Sequence, residues 1–356
     1  MKKKFIYIFL LWSMHILAQN AVSFEDFYVK KANSAKEQGN YTEAIENYNK
    51  ILDQHPEKEE YVFEIAMCYY RMENYSRAIE LGEQLLQNNP REFRYYRLLG
   101  NSYDLYGDSS SGISVLLMGC EAFPDEGDLY LDMGIIQMIK ENTDAALDYW
   151  ESGIRAEPTL SDNYYWATKT YLRSNEKLWG YLYGEIFLNL EKGTDRFNEI
   201  SKIMYNAYID EIYHNGGTIE RYLARPDNNK IKKAWDRIRD VMLTNGLYNP
   251  TVGLSFDGKP RYMEAIDFVR KNISELWDQM YGEELPVQIL KRQRAIILAG
   301  YSESYTHWLM INGNPDYFLH WQQHNFNKYM DFIDWFVGNT YTPTKTNYFC
   351  RLDFNE

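Results

Sequence analysis

The chain has 356 residues, 45% of hydrophobic type and 25% charged, with 21 glycines. That composition excludes a collagen, a mucin-like stalk and a chain disordered throughout, and the length favours two or three domains. Against 38 Lys and Arg stand 51 Asp and Glu, a net charge of −13, which argues against a nucleic-acid partner and a polybasic membrane surface.

The first segment has the layout of an export signal. Lys2, Lys3 and Lys4 precede a mostly apolar run from Phe5 to Leu17, and Ala18 is a small residue for cleavage, although Ile16 stands where another small residue is preferred. Residues 1–18 are therefore expected to be removed, leaving 35 basic against 51 acidic residues. No cysteine follows Ala18 to carry a lipid, and no other run approaches the roughly 20 apolar residues of a spanning helix. The expected location is outside the cytoplasm, in the periplasm before the outer surface or the medium. Cys68, Cys120 and Cys350 have neither disulfide-framework nor metal-ligand spacing. The first two read as buried small hydrophobes, and Cys350, near the end, as a candidate for exposure.

An internal period organises the next 170 or so residues. Pro56, Pro90, Pro124 and Pro158 recur at one constant interval, in phase with a small column (Ala44, Ala78, Gly112, Ala146, Gly180) and another (Ala32, Ala66, Gly100, Gly134). A mostly aromatic column runs Tyr28, Val62, Tyr96, Tyr130, Tyr164, and Tyr69, Tyr103 and Tyr171 share a further one. Thirty-four residues hold two helices and two turns. In 41–54, Tyr41, Ala44, Ile45, Tyr48, Ile51 and Leu52 fall on one helical face, with Gly39 and Asn40 before it and Pro56 after it. Short side chains let paired helices approach, and rings fill the wider gaps.

This pattern resembles the tetratricopeptide repeat, most closely from Gly39-Asn40-Tyr41 through Ala44, Tyr48 and Pro56. The units are framed as 25–58, 59–92, 93–126, 127–160 and a degenerate 161–194. The resemblance implies an all-α, right-handed α-solenoid over 25–194, whose first helices line a concave, protein-binding groove. Carried over by position, the groove residues are Asn33 in the first unit and Phe63, Met67 and Tyr70 in the second. Arg94, Arg97 and Asn101 follow, then Leu131, Ile135 and Met138, then Tyr165 and Lys169. Arg97 and Asn101 fit one part of the family's carboxylate clamp, from which Asp132, Asp162 and Trp166 depart. The apolar groove members could equally pack against the chain's own C-terminal half. The start of the chain and its Ala-Gln junction also resemble exported proteins of Bacteroidetes-type bacteria.

Residues 195–356 read as an all-helical C-terminal region. Helices are expected over 195–213, 229–243, 263–281, 286–300, 302–312 and 315–337, with a turn-rich connection over 244–262. His320 and His324, four apart, share a helix side, but no third ligand is fixed. Ser304 and His307 are close in sequence without a nucleophile elbow. The expectation is a non-catalytic scaffold or adaptor of the bacterial cell envelope, without cofactor or metal, that binds a protein or peptide segment. The alternatives are a carbohydrate- or envelope-component-binding protein using exposed aromatics such as Trp308, Trp321 and Trp335, and an enzyme with its site in the C-terminal region.

Overall fold

The computed structural model describes residues 23–214, 223–224, 228–247, 250, 253–256 and 258–355. The expected export signal lies outside them. The fold is all-α, a helical-repeat solenoid followed by a further helical region, with 17 α-helices and no β-strand among the described residues. Compact units divide after Ala122, inside the repeat array.

The first unit holds three hairpins: α1 (Phe24–Glu37) with α2 (Tyr41–Leu52), α3 (Glu59–Arg71) with α4 (Tyr75–Asn88), and α5 (Phe93–Tyr106) with α6 (Ser109–Ala122). Each turn inside a hairpin is built the same way. The N–H of Asn40, Asn74 and Asp108 reaches back five residues, to the carbonyls of Ala35, Tyr69 and Tyr103 at 2.8–2.9 Å. The residue before each has a positive φ: Gly39 at 74°, Glu73 at 60° and Gly107 at 101°. This is a Schellman stop. Asn40 and Asn74 then cap the second helix by accepting from the N–H groups of Glu43 and Arg77. The small columns sit where helices touch. A Cβ on Gly112 would lie 2.6 Å from the Gly100 carbonyl oxygen.

The second unit begins with two more hairpins, α7 (Gly127–Ile139) with α8 (Thr143–Ala156) and α9 (Ser161–Leu172) with α10 (Lys177–Leu190). The α7–α8 turn repeats the same stop, with Glu141 at φ 62° and the Asn142 N–H on the Gln137 carbonyl. Tyr130 donates to the Pro124 carbonyl at 3.4 Å, as Tyr96 does to Pro90 at 3.2 Å in the first unit, which ties the aromatic column to the proline column.

The helix α11 (Asp195–Tyr213) starts one repeat period after α9, as α9 does after α7. The repeat phase therefore runs one helix beyond the expected end of the array. The rest comprises α12 (Lys230–Thr244), α13 (Tyr262–Tyr281), α14 (Gln288–Leu298), α15 (Ser302–Leu309), α16 (Pro315–His324), α17 (Phe326–Gly338) and a 3-10 turn at Arg351–Phe354. The single helix expected over 315–337 is two. Asn325 turns its side chain onto the Trp321 carbonyl at 2.9 Å and leaves helical geometry at φ −124°, ψ 29°. Part of the 244–262 connection is a tight turn, in which Ser255 donates to the Lys259 carbonyl at 2.7 Å and Arg261 to that of Gly253 at 3.0 Å. All three cysteines are buried, including Cys350, which the sequence reading offered as a candidate for exposure.

Candidate protein-binding surface

In the first unit the expected groove residues lie on α1, α3 and α5. Phe63 is buried, with its ring 5.5 Å from that of Tyr95, in a cluster with Ala66, Leu85 and Leu98 against which Met67 and Tyr70 pack. The Arg94 guanidinium lies 5.0 Å over the Phe63 ring, and two of its nitrogens donate to Glu92 at 2.9 and 3.0 Å. That bond holds the Glu92 carboxyl below its ordinary range. Arg97 and Asn101 are half-buried on the next turns, as are Met67 and Tyr70. Asn33 is exposed and accepts from the Tyr48 hydroxyl at 2.9 Å. The first-helix side of this unit thus offers a sunken ring, partly open apolar side chains and polar heads.

The second unit treats the corresponding residues differently. Leu131 and Tyr165 are buried in its hydrophobic core, and Ile135 and Met138 pack against that core. Tyr165 donates to Glu199 on α11 at 2.5 Å, and Lys169 pairs with the same carboxylate at 2.7 Å. Arg196, also on α11, lies 5.0 Å over the Tyr165 ring and donates to Asp162 at 2.7 Å. Here α11 supplies polar partners to the first helix of the preceding hairpin.

The candidate chemistry of the C-terminal region takes packing roles. His307 is buried and stacked on Trp321, with ring centroids 3.8 Å apart and Nδ1 2.8 Å from the Glu303 carbonyl oxygen. Its Nε2 and the Ser304 hydroxyl are both buried without a hydrogen-bond partner, so no Ser–His pair forms. Burial lowers the His307 pKa, against the opposing pull of the Glu303 carbonyl. His320 and His324 have ring centroids 4.4 Å apart, and the Nδ1 of His324 is bonded to the His320 carbonyl. Among the described residues, no group of three or more His, Cys, Asp and Glu is arranged to hold a metal ion. Trp308 packs between Phe197 and Phe336, and Trp335 against Tyr301.

The sequence reading missed the way the C-terminal segment docks within the second unit. The Phe349 ring stacks on Trp179 and packs at a tilt against Tyr183, both of α10. Arg351 is buried and donates to both oxygens of Glu151 on α8, at 2.7–3.0 Å. Tyr171 and Tyr183 donate to the same carboxylate at 2.7 and 3.0 Å. Burial opposes the Arg351 charge, but Glu151 outweighs it and the pKa stays raised. A second buried pair lies one repeat period on, in α10, where Glu185 accepts from Arg270 at 2.8 Å, Gln293 at 2.6 Å and Tyr305 at 3.0 Å. The available signal was a column of Glu83, Glu151 and Glu185 in the repeat phase.

The family model of the tetratricopeptide repeat matches residues 35–101, so the chain is related to the tetratricopeptide-repeat proteins through that segment. No curated protein matches the chain. A thermophilic TPR protein of Thermus thermophilus is 17% identical over 51% of this chain and 98% of its own, with a TM-score of 0.43. MamA from Desulfovibrio magneticus RS-1 is 14% identical over 49% of this chain and 99% of its own, with a TM-score of 0.38. A further MamA structure is 18% identical over 45% and 93%, with a TM-score of 0.37.

Proposed function

We propose that the chain is a non-catalytic scaffold of the bacterial cell envelope, exported with loss of residues near 1–18, which holds a segment of a partner protein on the first-helix side of its first unit. The observation that carries this reading is the surface around Phe63. A buried ring lies under the Arg94 guanidinium, with Met67 and Tyr70 partly open and Arg97 and Asn101 on the adjacent helix. An extended segment needs both kinds of contact: polar heads to fix the direction of its backbone, and an apolar floor to take its anchors. In the second unit the matching positions are engaged by the core and by α11, so the proposed contact is on α1, α3 and α5.

The partner would be isolated by crosslinking in the native envelope and titrated against the purified chain by calorimetry. Arg97→Ala and Tyr70→Ala should each weaken binding by about 1–3 kcal/mol, with unchanged circular dichroism. Parent-like binding by both folded variants would move the contact elsewhere. Intact mass of the protein recovered from its host tests the export step, for which an uncleaved cytosolic species is the contrary result.

A further inference from the structure

We propose that the cleft between α12 and α13 docks an acidic peptide segment of a partner protein, at a second contact independent of the surface around Phe63. The cleft has a volume of about 520 Å³, within the ~300–1,000 Å³ range of ligand pockets. One wall is α12, which contributes Lys230, Lys233 and Arg237. Ala234, Tyr281 and Leu285 give it apolar surface, and Glu284 is the one acid in its lining.

The charge on that wall stands out from the rest of the chain. Along α12 there are five cations against two acids, Asp236 and Asp240, in a protein whose net charge is −13. Asp236 is paired with Lys232 at 2.9 Å, and neither acid, nor Lys232, is in the cleft lining. The side chains of Lys230 and Arg237 are exposed and make no hydrogen bond or ion pair among the described residues. Lys230 also opens α12, where the positive end of the helix dipole adds to its field. Cations held on one wall repel one another, and an anion in the cleft removes that cost.

Spacing selects the kind of anion. Lys230 and Arg237 stand seven positions apart in the helix, or about 10 Å along the axis at ~1.5 Å per residue. That spacing suits two anionic groups carried on one ligand better than a single carboxylate or phosphate. A peptide in the polyproline-II conformation advances ~3.1 Å per residue with three residues per turn, so carboxylates three residues apart lie on one face at a matching spacing, and an apolar side chain between them is turned toward Tyr281 and Leu285. Glu284 supports the same choice. Its carboxylate can accept a peptide N–H, whereas it repels a compact oligophosphate.

The test uses the full chain and fluorescence anisotropy at low salt. The probe is fluorescein-labelled Gly-Glu-Phe-Ala-Glu-Gly, with its Gln-for-Glu counterpart as control and inorganic tripolyphosphate as competitor. Saturable binding of the acidic peptide is expected below about 1 mM, weakened by about tenfold or more in the Gln counterpart and in the double variant Lys230→Glu/Arg237→Glu. Both substitutions are on exposed side chains, and the variant's melting curve should match the parent's. Absence of saturable binding, equal binding by the double variant, or binding of tripolyphosphate without the peptide would each overturn the assignment. Arg97→Ala should bind this probe as the parent does, so the cleft and the repeat surface succeed or fail separately.

Discussion

Glu73 and Glu141 occupy a backbone position that the first and third repeats give to glycine. Gly39 and Gly107 stand in the same column, and all four have positive φ in the same Schellman turn. An L-residue there costs about 1–2 kcal/mol, offset in part by the ~0.5–1 kcal/mol of extra freedom that glycine loses on folding. Both glutamates are exposed, so few side-chain contacts would be lost. Glu73→Gly and Glu141→Gly should each stabilise the protein by about 0.5–1 kcal/mol in urea titrations, and a shift the other way would show that the side chains contribute more than the strain costs. His307 gives a second prediction. Its folded pKa lies below the ordinary 6.5 because it is buried, so the folded state binds its proton less well than the unfolded state. The stability linked to it is complete above pH 6.5 and is lost as pH falls from there through the folded pKa. Between about pH 7.5 and 5.5 the melting temperature should fall more steeply in the parent than in His307→Gln, measured before most carboxylates titrate. Equal slopes would remove His307 as the source.

At the scale of elements, the helix starts were legible because the period is strict. Second helices begin at Tyr41, Tyr75, Ser109, Thr143 and Lys177, and first helices at Glu59, Phe93, Gly127, Ser161 and Asp195, each one full period after the last. The break at Asn325 was less legible, since Phe318, Trp321, Tyr329, Phe332 and Phe336 read as one apolar face whether the helix is continuous or bent. All five are buried, so the pattern gave burial correctly and continuity wrongly. The docking of Phe349 and Arg351 was not legible at all. It depends on partners about 170 to 200 positions away in sequence, and periodicity carries no information about such pairs. The candidate surface was legible by position only: the phase locates Arg97 and Tyr165 alike, but not that Tyr165 meets Glu199. The Arg351 contact yields a stability prediction. Arg351→Met leaves the buried Glu151 carboxylate without its cation, which should cost about 3–5 kcal/mol. Glu151→Gln/Arg351→Met removes both charges and should lose markedly less. If the double variant is no more stable than the single one, apolar docking of the tail, and not the ion pair, dominates.

At the scale of the whole molecule, the two units differ in how their cores are built. The first has separate small clusters, one of Ala32, Ala44, Tyr48, Ile51 and neighbours and another of Phe63, Ala66, Leu85, Tyr95 and Leu98. In the second, one continuous cluster runs from Leu131 to Cys350 and takes in residues of every helix from α7 to α17. Stacked hairpins are held mainly by their immediate neighbours, so a terminal one can open without the rest. A continuous core with two buried ion pairs joining distant segments resists such local opening, because freeing any one helix exposes apolar area and unpairs buried polar groups. Hydrogen exchange read by mass spectrometry should therefore find the amides of α1 and α2 exchanging first, and those of α8, α10 and α13 last, close to the limit set by global unfolding. Urea unfolding followed by tryptophan fluorescence should lag behind the loss of helicity, because every tryptophan among the described residues lies in the second unit. Coincident transitions with uniform protection across both units would mean that the array and the continuous core unfold together, and that the separate clusters of the first unit do not set its stability.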